Sequence, residues 1–199
     1  MPDGRRLVLV VGPSGAGKDS VIRGAQQALA QQALAQRSDV VFPRRVITRP
    51  PDVSGGEDHE PCEPAVFERC AAAGAFALHW QANGLRYGVP ATIDDDLAAD
   101  RAVVVNVSRA IIPAAETRYP GLCVCVITAS PAVLAARLRQ RGRESADEIV
   151  TRLGRADAFT VSARHVHTIN NDGALEASVK ALLAAIDFGP RASTHASAR

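Results

Sequence analysis

Short aliphatic runs alternate with helix-forming segments along most of this chain. Nearly continuous apolar residues, the pattern of strands buried on both faces of a parallel sheet, occupy positions 7–11, 40–46, 102–107, 122–128 and 165–169. Helical patterns follow Lys18 and occupy 92–99, 131–141, 146–159 and 174–186. The alternation predicts an α/β fold with a parallel five-stranded sheet, helices on both faces, and ligands at the carboxyl ends of the strands.

Two polar regions interrupt this alternation. Residues 49–64 are rich in Pro, Gly and acidic side chains, which favours an acceptor-binding insertion within about 47–90 over a floppy loop. Residues 140–147 concentrate arginines beside a glycine between two helices, which suits a mobile lid. Residues 189–199 offer almost nothing to bury, so we expect one domain over 1–188 followed by a disordered tail.

The composition excludes several classes of protein. A chain of 199 residues with 47% hydrophobic residues fits one soluble domain, and a net charge of +2 argues against a nucleic-acid or membrane surface. No segment approaches the roughly 20 apolar residues of a membrane span. The four cysteines lack metal-binding spacing, so we expect reduced thiols. With no membrane span in the sequence, we expect a cytoplasmic protein. Its expected partner is a small molecule. The oligomeric state stays open, with a homodimer as one alternative.

A phosphate-binding loop is the clearest motif. Gly12, Pro13, Ser14, Gly15, Ala16, Gly17 and Lys18 match G-x-x-x-x-G-K between a predicted strand and a predicted helix. Glycines allow successive backbone N–H groups to point at a polyphosphate, and the helix N-terminus adds favourable potential for negative charge. Lys18 and Lys180 are the only lysines in a chain that otherwise uses arginine. The motif predicts ATP binding rather than a glycine turn that merely caps a helix.

The residues that follow the loop depart from the common pattern. Asp19 occupies the position where a Ser or Thr hydroxyl usually meets Mg²⁺, and Ser20 comes one residue later. A carboxylate is a hard oxygen donor, so Asp19 is the predicted Mg²⁺ ligand; the alternative is a solvated acid in the first turn of a helix. The strand at 102–107 carries Asn106 where many such enzymes carry Asp.

Arginines are the predicted means of bringing two phosphate groups together. The candidates are Arg44, Arg45, Arg49, Arg86, Arg109, Arg137, Arg141, Arg143, Arg152 and Arg155, of which many could be solvated residues on exposed faces. The strongest candidates are Arg49, Arg141 and Arg152. Arg137 and Arg141 share one face of a helix at i, i+4 spacing, so we expect both to contact ATP.

These motifs together resemble the guanylate kinase-like family, and within it the bacterial enzymes that phosphorylate a ribose bisphosphate during phosphonate breakdown. The likeness covers about 6–187, with landmarks at 12–20, 47–50, 57–59, 79–88, 103–109 and 137–144. The resemblance implies that Arg49 and Tyr87 grip a phosphate of the acceptor. It also implies that Arg141 and Arg152 are lid arginines that act with Lys18 in catalysis.

The departures from guanylate kinase itself fall on the base pocket. Leu78 stands where a glutamate would bind guanine, Val89 replaces a small hydroxyl residue, and an acidic pair becomes Asn106 and Ser108. Because unpaired buried polar groups are costly, guanine should bind poorly. The likeness implies that His59, Asn106, Ser108 and Arg109 provide neutral donors and one cation for a ribose with two phosphates.

The resemblance therefore implies transfer of the γ-phosphate of ATP to the 1-phosphate of ribose 1,5-bisphosphate, giving 5-phosphoribosyl 1-diphosphate and ADP. A nucleoside monophosphate kinase with an unusual pocket is one alternative. A catalytically silent interaction module is another, although Lys18 and the three loop glycines argue against it.

Overall fold

Strands and helices alternate through the computed structural model, which describes residues 4–33, 39–50, 58–142, 146–157 and 159–187. In chain order the elements are β1 (Leu7–Val11), α1 (Lys18–Ala33), β2 (Val40–Val41), β3 (Arg45–Ile47), β4 (His59–Pro61), α2 (Pro64–Ala72), β5 (Phe76–Ala82), β6 (Leu85–Pro90), α3 (Ile93–Ala98), β7 (Ala102–Asn106), α4 (Ile112–Arg118), β8 (Cys123–Thr128), α5 (Pro131–Arg141), α6 (Ala146–Asp157), β9 (Val166–Asn170) and α7 (Leu175–Asp187).

The central sheet has the strand order β2-β7-β1-β8-β9, and its neighbouring strands are parallel. Every residue of β1 is buried, as expected for an aliphatic strand covered on both faces. Separate hydrophobic clusters lie on the two faces, one including Leu9 and the other Val10. The prediction of a parallel five-stranded sheet is confirmed. Val10 is paired with Asn106, so the carboxyl ends of β1 and β7 lie side by side.

A second sheet, with the order β4-β3-β6-β5, arises from the region predicted as an insertion. Its strands β5 and β6 form a hairpin whose turn residues Asn83 and Gly84 have positive φ angles of 50° and 74°. The prediction of one strand over 40–46 is wrong, because β2 ends at Val41 and β3 begins in the second sheet at Arg45. Pro43 lies between them, and it cannot donate to a strand ladder.

Helix boundaries follow local signals closely. The helix α5 has the predicted bounds: the Ser130 side chain accepts a hydrogen bond from the Val133 N–H at its start, and Gly142 ends it in the left-handed conformation. The helices α2 and α4 were not predicted. Within the described ranges, none of the helices combines the length and apolar character that a bilayer crossing requires. The tail, lid residues 143–145 and insertion residues 51–57 lie outside the described residues.

Candidate active site

The phosphate loop joins the end of β1 to the start of α1 and passes close to neighbouring chain segments. A Cβ at Gly12 would collide with the carbonyl oxygen of Ile127 at the end of β8. Gly17 has a φ of 89°, and a Cβ there would lie 2.5 Å from Nδ2 of Asn171. These two glycines are therefore required by packing as well as by backbone conformation.

Asn171 braces the loop from the side of β9 and α7. It is only 2% exposed, and its Nδ2 donates a 2.8 Å hydrogen bond to the carbonyl of Ala16. The Ser178 hydroxyl donates to Asn171 Oδ1 at 2.9 Å, which fixes the orientation of the amide. Arg137 donates to the carbonyls of Asn171 at 2.7 Å and Ala16 at 3.3 Å. The carbonyl of Ala16 in the loop is thus held by two donors, one of them the buried amide of Asn171.

Lys18 lies in the first turn of α1, half-buried against the loop. Its Nζ donates hydrogen bonds to the carbonyl oxygens of Gly12 at 2.8 Å and Pro13 at 3.1 Å. The ammonium group is consequently held against the backbone of the loop.

Asp19 and Asn106 meet at the carboxyl edge of the central sheet. The Nδ2 of Asn106 donates a 3.0 Å hydrogen bond to Oδ1 of Asp19, which is exposed in the first turn of α1. The pair places one carboxylate and one amide beside Lys18, and both groups carry the oxygen donors that Mg²⁺ prefers. No cluster of three or more His, Cys, Asp and Glu side chains suited to a metal occurs in the described part of the chain.

A cavity of about 580 Å³ opens beside the loop and reaches the second sheet. Its lining includes many residues predicted for the site, namely Gly12, Pro13, Ser14, Lys18, Tyr87, Asn106, Ser108 and Arg109. Its other lining residues are Arg45, Trp80, Ala82, Asn83, Val107 and Phe159. The described lining thus holds the cations Lys18, Arg45 and Arg109 and no carboxylate, so its fixed charges favour an anionic ligand.

Aromatic rings support the two arginines of this cavity. Trp80 and Tyr87 face each other across the β5–β6 hairpin, with ring centroids 5.3 Å apart and planes 6° from parallel. The guanidinium carbon of Arg45 lies 5.7 Å and 5.3 Å from these two centroids. That of Arg109 lies 4.6 Å from the centroid of Phe159.

Sequence reasoning missed Trp80, Asn83 and Phe159, and it ranked Arg45 only among many candidate arginines. The alternation along β5 and β6 puts Trp80 and Tyr87 opposite each other, so recognition of the hairpin from Asn83 and Gly84 would have paired them. Phe159 gives no comparable signal, because it lies beyond the end of α6.

Arg49 and His59 contact each other and are not among the lining residues of this cavity. The Nη2 of Arg49 lies 3.5 Å from Nδ1 of the buried His59, and the other ring nitrogen lies 3.2 Å from the Arg49 carbonyl. The Nε of Arg49 is buried and has no hydrogen-bond partner among the described residues. The two residues therefore form a separate group at the edge of the second sheet.

A further cavity of about 340 Å³ lies on the other side of the loop. Gly15, Gly17, Ser20, Arg137 and Asn171 contribute to its lining. Arg137, predicted to contact ATP, thus reaches the loop from α5. The side chains of Arg141 and Arg152 lie outside the described residues, although α5 and α6 include both positions.

Leu78 and Val89, at the positions that would recognise guanine, are paired with each other in the β5–β6 hairpin. Both are buried, and both belong to the hydrophobic cluster that extends onto the central sheet. These positions stabilise the fold and present no hydrogen-bonding group to a ligand.

A phosphate loop at the carboxyl edge of a parallel sheet, facing a cationic cavity closed by a second sheet, defines a P-loop kinase. A family model described as guanylate kinase matches residues 4–187. The crystal structure of guanylate kinase from Anaplasma phagocytophilum has the same fold, with a TM-score of 0.64, 17% identity, and coverage of 91% of this chain and 83% of that one.

Curated relatives are much more similar in sequence. The ribose 1,5-bisphosphate phosphokinase of Acidiphilium cryptum (strain JF-5) is 58% identical over 158 residues, which cover 79% of this chain and 81% of that protein. That of Chelativorans sp. (strain BNC1) is 46% identical over 180 residues, covering 90% and 84%. The chain belongs to the guanylate kinase family, and within it to the family of these ribose 1,5-bisphosphate phosphokinases.

Proposed function

We propose that the protein transfers the γ-phosphate of ATP to the 1-phosphate of ribose 1,5-bisphosphate, producing 5-phosphoribosyl 1-diphosphate and ADP in phosphonate catabolism. The acceptor atom is a phosphate oxygen that is already ionised at neutral pH. The reaction therefore needs no general base, and the protein contributes positioning and stabilisation of negative charge.

The observation that carries this proposal is the charge of the 580 Å³ cavity, whose described lining holds Lys18, Arg45 and Arg109 and no carboxylate. Each phosphate monoester carries a charge of about −1.5 to −2 at pH 7. A purine base, by contrast, offers no anion to two arginines, and Leu78 and Val89 provide it with no hydrogen bond. A small acceptor with two phosphates matches this lining better than a nucleotide does.

The donor is assigned to the phosphate loop. We infer that the backbone of residues 12–20 and Lys18 bind the β- and γ-phosphates, and that Arg137 and the 340 Å³ cavity lie on the nucleoside side. Arg141 and Arg152 are proposed to reach the transferred phosphate from α5 and α6. ATP as the donor and four free thiols suit a reaction in the cytoplasm.

Mg²⁺ is the metal that such a reaction requires, and the residues present fit it. Asp19 supplies carboxylate oxygens and Asn106 an amide group that is already hydrogen-bonded to Asp19. We propose that Asp19 holds the ion, directly or through water, while Asn106 orients the carboxylate. When bound, Mg²⁺ neutralises charge on the β- and γ-phosphate oxygens.

The acceptor is proposed to lie between the loop and the second sheet. Tyr87, Asn106, Ser108 and Arg109 are in the cavity wall and are assigned to it directly. Arg49 and His59 are assigned to the acceptor as a second group, because the buried Nε of Arg49 has no hydrogen-bond partner among the described residues.

The test is an assay of ADP release with ribose 1,5-bisphosphate, ribose 5-phosphate, GMP and gluconate as acceptors, with the product identified by phosphorus NMR. We expect turnover of ribose 1,5-bisphosphate to exceed that of the other three by orders of magnitude, and the product to show a diphosphate ester. Faster turnover of GMP would identify a nucleoside monophosphate kinase instead. A protein that binds ATP and releases no ADP with any acceptor would be a silent interaction module.

A further inference from the structure

Arg45 is a buried cation in the wall of the acceptor cavity. It begins β3, it is 7% exposed, and its guanidinium rests over the stacked rings of Trp80 and Tyr87. Burial of a guanidinium costs free energy. A fold that keeps one in the wall of a ligand cavity recovers part of that free energy when an anion binds there. The two aromatic faces position the guanidinium in the cavity wall.

Other arginines of the second sheet are directed elsewhere. Arg44 precedes Arg45, but its side chain is 57% exposed and forms a 2.9 Å ion pair with Asp58. Arg86 precedes Tyr87, yet it is 41% exposed and paired with Glu68 of α2. Adjacent residues of a strand face opposite sides, so Tyr87 lines the cavity and Arg86 does not. Arg45 is thus the arginine that this sheet contributes to the described cavity wall.

The two walls of the cavity come from different parts of the fold. Gly12, Pro13, Ser14 and Lys18 belong to the loop of the central sheet, whereas Arg45, Trp80 and Tyr87 belong to the second sheet. The phosphate that accepts the transferred group must lie near the loop. A ligand that spans both walls therefore presents its other end to the second sheet.

We propose that Arg45 determines acceptor specificity by binding the 5-phosphate of ribose 1,5-bisphosphate, the phosphate that is not phosphorylated. This inference rests on the proposed function. It assigns the 5-phosphate to Arg45, a role that is separate from those proposed for Arg49 and Tyr87. In this arrangement Lys18 acts on the reacting end of the acceptor, and Arg45 selects for a second phosphate at the opposite end.

The experiment compares ribose 1,5-bisphosphate with ribose 1-phosphate, which lacks the 5-phosphate. Arg45→Met keeps a long apolar stem against Trp80 and removes the charge, and Arg45→Lys restores a charge without the planar fork. Arg86→Met is the matched control, since it removes an arginine from the opposite face of the same sheet. Thermal unfolding of each variant verifies that the fold is retained.

For Arg45→Met we expect kcat/KM with ribose 1,5-bisphosphate to fall on the order of 100-fold, mainly through KM. With ribose 1-phosphate we expect a change of less than about 3-fold, because the group that Arg45 binds is absent from that acceptor. Arg45→Lys should recover part of the loss, and Arg86→Met should behave like the unaltered enzyme. Where turnover of ribose 1-phosphate is too slow to follow, its inhibition constant supplies the same comparison.

Equal losses with both acceptors would overturn the inference, because Arg45 would then act on the reacting phosphate or on the fold. Unchanged kinetics with ribose 1,5-bisphosphate would overturn it as well. Failure of the unaltered enzyme to phosphorylate ribose 1,5-bisphosphate is a separate result, which refutes the proposed function and removes the basis of this inference with it.

Discussion

Asn106 donates a hydrogen bond of 3.0 Å to Asp19, and this contact joins the carboxyl end of β7 to the first turn of α1. Many P-loop enzymes place a hydroxyl on the helix and an aspartate on the strand. Here the carboxylate is on the helix and the neutral group is on the strand. The carboxylate therefore belongs to the same turn as Lys18, so both charges are positioned by one segment of backbone.

This arrangement predicts a specific effect on the Mg²⁺ requirement. Asp19→Asn should lower kcat about 100-fold, because charge stabilisation in the transition state is lost. It should also raise the Mg²⁺ concentration for half-maximal activity by roughly 10- to 100-fold, and Asn106→Ala should do so to a smaller degree. A titration of activity with Mg²⁺ measures both. The control is Asp95→Asn, which alters an exposed carboxylate in α3. An unaltered Mg²⁺ titration for Asp19→Asn would contradict the assignment of Asp19 as the Mg²⁺ ligand.

Lys18 provides a test of the catalytic site with a natural control. Lys18→Ala should reduce turnover by at least about 10³-fold, since the ammonium that neutralises phosphate charge is removed. Circular dichroism should be unchanged, which shows that the fold is retained. Lys180→Ala removes the other lysine of the chain, which is exposed on α7, and should leave activity intact. Activity in Lys18→Ala within a few-fold of normal would refute the site.

The hydrogen bond from Asn171 to the phosphate loop predicts that stability and ATP binding are coupled. Asn171→Ala leaves the carbonyl of Ala16 without its 2.8 Å hydrogen bond and should lower the free energy of unfolding by about 1–3 kcal/mol. The KM for ATP should rise, since the loop loses a brace, while the KM for the acceptor changes little. Urea unfolding and initial-rate kinetics measure the two effects. The control is Asn170→Ala, at the exposed neighbouring residue, which should change the free energy of unfolding and the KM for ATP less. Equal effects of the two substitutions would show that Asn171 does not brace the loop.

The buried hydroxyl of Tyr119 leads us to expect that the folded protein loses stability at high pH. Its side chain is fully buried, and its hydroxyl donates to Asp94 at 2.5 Å and accepts from Arg118 Nε at 2.9 Å. Burial and the hydrogen bond to Asp94 raise the pKa of Tyr119 from 10.0 to about 12. The neutral phenol is thus favoured in the folded state, so its contribution to stability is complete below pH 10 and decreases as the pH rises towards 12.

The corresponding variant is Tyr119→Phe. It should lower the free energy of unfolding by about 1–3 kcal/mol at neutral pH, because Asp94 and Arg118 lose a buried partner. It should also flatten the decline of stability between pH 10 and pH 12, which urea unfolding across that range would reveal. A decline of the same steepness in both proteins would assign it to another group.

The sequence predicted the central sheet well and the second sheet poorly, for physical reasons. Strands such as β1 are buried on both faces, so continuous aliphatic runs reveal them, and the loop motif marks the edge where the site lies. In the second sheet, β3 and β4 are only 3 residues each. Such strands carry too few residues for periodicity to emerge.

The role of individual arginines was harder to predict than the presence of the site. Arg44 and Arg45 are adjacent and chemically identical, yet one is exposed beside Asp58 and the other is buried over Trp80. Their difference depends on the side of β3 that faces the cavity, which follows from tertiary packing and not from local sequence. Asn106 shows the same limit, since its hydrogen bond to Asp19 depends on the adjacency of β7 and β1.

The stacked pair of Trp80 and Tyr87 has a practical consequence. Trp80 is the only tryptophan of the chain, and it lies in the cavity wall within 5.7 Å of the Arg45 guanidinium carbon. Indole emission responds to nearby charge and to exclusion of water, and here all of it arises from one position. The protein therefore contains its own optical reporter, with which acceptor binding can be followed in real time without any attached dye.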